Sequence, residues 1–193
     1  MLDLVDSIEK KIEEFPPGEE PPKGLVSIVR FIDYWIGEWS GKIFAWFIIP
    51  MAGGLAYEVF ARRFFNSPTI WAYELTYQLY GSHFMLGAAY TLYKGKHIRT
   101  DLFYEKFSVK RQGWVDAVLY LFFFFPGIIF FFLAGWDEAL HAWEIKELSD
   151  ATPLRPPLYP FKTVIPVTAV LLLLQGVSEL LKSIYAAFRG RWI

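Results

Sequence analysis

Residues 117–136 read Ala-Val-Leu-Tyr-Leu-Phe-Phe-Phe-Phe-Pro-Gly-Ile-Ile-Phe-Phe-Phe-Leu-Ala-Gly-Trp, 20 consecutive positions without a charge. As an α-helix rising 1.5 Å per residue, such a run spans about 30 Å, the thickness of a bilayer's hydrocarbon core. The rest of the chain fits that solvent. Of its 193 residues 54% are hydrophobic and 20% aromatic, more apolar side chain than a soluble domain of this size can bury.

Three more stretches are long enough to cross lipid, and together with the first they place spans at about 43–64, 70–93, 115–136 and 164–181. The first contains only Glu58 before Arg62 and Arg63 end it; Pro50 predicts a bend, and Ala52, Gly53, Gly54 and Ala56 give a smooth face for close helix contact. The second is the most polar, with Glu74, Gln78 and His83 among aromatic and small residues. The third predicts a helix continuing through Asp137 to Glu147, and the fourth is entered by Phe161-Lys162 and Pro166. These spans define a four-helix membrane domain over 41–187.

Two segments precede it. Residues 1–23 form an acidic arm, since Leu4, Val5, Ile8 and Ile12 keep helical spacing but Pro16-Pro17-Gly18 and Pro21-Pro22 stop it. Over 24–40, Leu25, Ile28, Val29, Ile32, Trp35, Ile36 and Trp39 make one apolar stripe, with Ser27, Arg30, Asp33 and Glu38 on other faces. The pattern predicts an amphipathic helix in the membrane interface, its tryptophans at headgroup depth. The start has neither the basic residues nor the small-residue cleavage site of a secretory leader, so none is expected.

Charge orients the bundle. With the N-terminus inside, 14 of the 19 Lys and Arg residues fall on cytoplasmic segments, including Lys94, Lys96, Arg99, Lys106, Lys110 and Arg111 between the second and third spans. The fold class is therefore all-α, four transmembrane helices with both termini inside, preceded by an amphipathic interfacial helix. Arg62 and Arg63 fall outside this rule and call for snorkelling or for an ion pair with Glu58 or Glu74.

Chemistry-bearing patterns are sparse. The formal net charge of -1 gives no basic field for nucleic acid, and the lack of cysteine excludes disulfides and thiolate sites. His83, His97 and His141 show no ligand spacing, and no nucleophile elbow, P-loop or paired-carboxylate site is present. No catalytic, cofactor-binding or metal residue is predicted. Nor do matching inverted halves suggest transport by this chain alone.

Structural candidates remain. Glu74, one turn into the second span beside Gln78 and Ser82, is either a functional group at membrane depth or a structural one stabilised by the helix dipole or by Arg62 or Arg63. Before it, Pro68 constrains the turn, Thr69 is placed to cap the helix, and Trp71 suits the interface. After the span, Gly95 is placed as a left-handed cap, and the loop through His97, Arg99 and Asp101 reads as a positive-inside loop rather than a phosphate cradle.

These residues resemble the small membrane subunit, DctQ type, of the tripartite ATP-independent periplasmic (TRAP) transporters. The resemblance rests on Phe65-Asn66-Ser67-Pro68-Thr69-Ile70-Trp71 with Glu74, on Leu86-Gly87-Ala88-Ala89-Tyr90, and on Gly95-Lys96-His97-Ile98-Arg99-Thr100-Asp101. Trp114-Val115-Asp116, Pro126-Gly127, Gly135-Trp136, Arg155-Pro156-Pro157, Pro160-Phe161-Lys162 and Leu174-Gln175-Gly176 are similar to the branch labelled for mannitol or chloroaromatic compounds. The resemblance implies a non-enzymatic support in a bacterial inner membrane. Its partners would be a large DctM-type subunit, which carries the Na+ and substrate sites, and a DctP-type periplasmic binding protein that delivers an organic acid. It carries over Arg62, Trp71, Glu74, Gly95, His97, Arg99 and Asp101 as structural or subunit-interface positions, with no cofactor in this chain. The alternative reading is a haem-bearing or purely structural four-helix membrane anchor.

Overall fold

A computed structural model describes residues 21–95, 104 and 106–193 of the chain. The acidic arm up to residue 20 and the loop positions His97, Arg99 and Asp101 lie outside these residues. Helices form the described part, and its one β-bridge pairs Leu148 with Pro157.

The helices are α1 (Lys23–Ile32), α2 (Ser40–Ala45), α3 (Ile48–Phe65), α4 (Trp71–Leu86), α5 (Ala88–Tyr93), α6 (Val109–Leu119), α7 (Phe125–Ile145) and α8 (Tyr159–Arg189). Two π-helical segments join neighbours without a loop: Asp33–Trp39 between α1 and α2, and Tyr120–Phe124 between α6 and α7. Among the described residues, three helical runs are long and apolar enough to cross a membrane: Lys23–Phe65, Val109–Glu144 and Tyr159–Arg189. The predicted second span corresponds to α4 and α5, where a turn at Gly87 and the polar residues Glu74, Gln78, Ser82 and His83 lower the apolar character.

Prolines explain the irregularities. Pro50 has no N–H and crowds the carbonyl four residues back, and the chain tightens there: Trp46 N–H donates to Ile43 O (3.2 Å) and Phe47 N–H to Phe44 O (3.1 Å). The second π segment ends just before Pro126 at the head of α7, and that helix runs on past Trp136 to Ile145. Left-handed residues stop the long helices: Asn66 after α3 (φ 49°), Lys146 after α7 (φ 48°) and Gly190 after α8 (φ 74°).

Helix α8 is the axis of the molecule, packing on α7, α6, α5, α4, α1 and both π segments. Glycines bring it close: a Cβ on Gly113 of α6 would lie 2.4 Å from Ala187 N, and one on Gly135 of α7 would lie 2.4 Å from Ile165 Cγ2. Helix α3 packs chiefly on α4, where Gly54 faces Leu75 and Trp71, and leaves most of its other residues exposed.

The first helical run turns its small and polar residues inward. Val26, Val29, Asp33, Gly37 and Ser40 are buried, whereas Ile28, Phe31, Trp35 and Trp39 of the apolar side are exposed. Asp33, which lies off the apolar stripe, points into the bundle. The helix is inside out relative to a water-soluble amphipathic helix, an arrangement that suits lipid around it.

Candidate functional site

Among the described residues, a group of polar side chains stands at each end of the α4–α5 column. The first surrounds the α3–α4 turn. There the Glu58 carboxylate accepts from Arg62 Nε (3.0 Å) and Nη2 (2.6 Å), from Thr69 N (2.8 Å) and from the Thr69 hydroxyl. Arg62 thus takes the i,i+4 carboxylate of its own helix. Thr69 does not cap the next helix: α4 starts from Ile70 with no side-chain cap, and the Thr69 N–H and hydroxyl are both turned to the Glu58 carboxylate instead. Trp71 lies against Tyr57, ring centroids 5.6 Å apart, and closes the α3–α4 seam.

Glu74 is 2% exposed and faces neither arginine. Its Oε1 accepts from Ser149 Oγ (2.7 Å) and Thr152 Oγ1 (3.0 Å) of the α7–α8 connection. The expected pairing with Arg62 gives way because Arg62 is already held by Glu58 and two hydroxyls reach Glu74 from the opposite side. Gln78, on the same face, reaches Pro157 O at 3.4 Å. The connection itself is folded by Ser149 N–H to Pro156 O and Leu158 N–H to Glu147 O, both 2.9 Å. Lys162 then ties it to α7 through Glu138 (2.6 Å) and Glu147. Glu74 and Gln78 therefore pin a long connection to the bundle.

The second cluster was not legible as a site in the sequence. Asp33 Oδ1 accepts from Gln175 Nε2 (2.9 Å) and Ser178 Oγ (2.6 Å), and its Oδ2 lies 2.7 Å from Lys182 Nζ. Lys182 also pairs with Glu179 at 2.7 Å, and its ammonium stands 5.7 Å from the Tyr93 ring centroid. Gln175, Ser178 and Asp33 are buried, and the Lys182 side chain is 13% exposed. The signal available beforehand was only a Gln-x-x-Ser-x-x-x-Lys spacing along one face of the last helix, residues 175, 178 and 182, without any hint of its partner.

Of the other candidates, Gly95 adopts φ 62° just after α5, with its N–H on Leu92 O at 3.0 Å. His83 Nδ1 is 2.9 Å from Phe44 O, which ties α4 to the α2 end of the first run. No group of three or more His, Cys, Asp or Glu able to hold a metal occurs among the described residues. What both clusters do is join segments distant in sequence.

No curated protein matches the chain. The family model described as tripartite ATP-independent periplasmic transporters, DctQ component, matches residues 51–185, from the start of α3 almost to the end of α8.

Proposed function

We propose a supporting role rather than a conducting one, and the premise is the family: this chain belongs to the DctQ component of the tripartite ATP-independent periplasmic transporters. It is thus a small membrane subunit of a transporter and not an enzyme, in a system completed by a large membrane component and a periplasmic binding protein. In our reading the chain stands fixed beside a DctM-type subunit, which holds the Na+ and substrate sites, while a DctP-type protein delivers an organic acid. Within the bacterial inner membrane we give it four spans, α4–α5 being the polar one, with both termini in the cytoplasm. The motifs quoted above are our reason for placing it in the mannitol/chloroaromatic-labelled branch of the family, and the distribution of Lys and Arg is our reason for the orientation.

One observation carries the supporting role. The buried carboxylates of Glu74 and Asp33 are engaged with side chains of other segments of the same chain, as a scaffold's polar groups should be. The test is co-expression with the large subunit and the binding protein of the same operon. The solubilised chain is expected to co-purify with the large subunit, and its deletion to abolish uptake while the binding protein still captures solute. Recovery only as a free monomer, or unimpaired uptake without it, overturns the proposal.

A further inference from the structure

A carboxylate placed in the interior of a membrane bundle is costly unless it is met by charge and hydrogen bonds, and Asp33 is met completely by one helix. Its two oxygens take Gln175, Ser178 and Lys182, all on α8, at 2.6 to 2.9 Å. Beside it the backbone is close-fitted. A Cβ on Gly37 would lie 2.6 Å from Tyr93 Cγ, and one on Gly41 would lie 2.4 Å from the Tyr90 ring. Asp33, Gly37 and Gly41 recur every four residues, so charge and glycines share one face. The π-helical segment Asp33–Trp39 coincides with this seat, and such local widening re-aims side chains where a helix must meet a fixed partner.

We propose that the Asp33–Lys182 contact is a latch which makes the N-terminal helical run an integral, fixed part of the bundle. Glycine packing supplies the fit and the cross-helix charge pair selects a single seating. The latch holds the run with Trp35 and Trp39 turned outward, their rings stacked with centroids 6.3 Å apart, so that this face meets lipid at a set angle. Glu179 has a different part. It lies three residues from Lys182 on the same helix, so it steadies the ammonium without crossing to the N-terminal run.

The cysteine-free chain allows the test without background labelling. Spin labels at Ser27→Cys and Phe188→Cys, both exposed, report the distance from the N-terminal run to the end of α8 in the full chain reconstituted in lipid nanodiscs. The parent is expected to give one narrow distance distribution. Asp33→Ala and Lys182→Met should each at least double its width or add a second population, whereas Glu179→Gln should leave it narrow. If Asp33→Ala does not survive purification, Asp33→Asn, which keeps an acceptor for Ser178, should still broaden it. A parent-like distribution in the Asp33 variants, or broadening by Glu179→Gln as large as theirs, overturns the latch.

Discussion

Glu74 sits in the one span that the sequence marks as polar, and its environment decides between two roles. A carboxylate that takes up protons or ions during transport needs a path to water or substrate, whereas this one is buried beneath two hydroxyls of a folded connection. Glu74→Ala is therefore expected to leave Ser149 and Thr152 without their acceptor and to destabilise the connection by about 1–3 kcal/mol. Hydrogen exchange over 146–158 measures this. Glu74→Gln keeps one acceptor oxygen and should be milder there. In the assembled transporter it should weaken subunit association more than substrate affinity, read by pull-down yield against uptake KM.

At the scale of the helix, glycine function depends on what stands opposite. Gly113 faces the α8 backbone at Ala187 and Ser183, which cannot move aside as a side chain can. Gly113→Ala is predicted to force α6 from α8 at a cost of about 1–3 kcal/mol or more. Gly53, where an added methyl group would meet nothing within 4 Å, is the control: Gly53→Ala should be neutral or stabilising by about 0.5–1 kcal/mol. Thermal unfolding of the two variants in one detergent compares them. The same contrast marks how far the sequence could be read. Runs such as 117–136 announce helices because apolar length alone sets them, and Pro50 and Pro126 announce their irregularities because a missing N–H acts locally. The inward face of the first run was not legible: its apolar stripe marks the side that meets the membrane but says nothing of what the opposite side packs on, and Asp33 meets Gln175 and Ser178 142 and 145 residues later. Glu74 was visible as a special residue, but its hydroxyl partners 75 and 78 residues away were not.

Across the molecule, the three apolar runs and the α4–α5 column make an odd shape for a protein acting alone. Helix α3 is covered mainly by α4, and Phe60, Phe64 and Phe65 at its end are exposed. In lipid such a surface is stable, and in the proposed transporter part of it meets the large subunit. Two-sided labelling checks the topology we propose: single cysteines introduced near Gly24 and at Arg191 should react with an impermeant reagent only from the cytoplasmic side. Reaction from opposite sides would leave an odd number of crossings and remove the four-span arrangement.

The axial position of α8 bears on biogenesis. Helix α8 follows every other described helix in the sequence, yet it carries the counterion of Asp33 and the backbone groove that receives Gly113. The earlier helices therefore emerge before that carboxylate has its partners, and a chain truncated before residue 175 is expected to be more susceptible to proteolysis than one that carries α8.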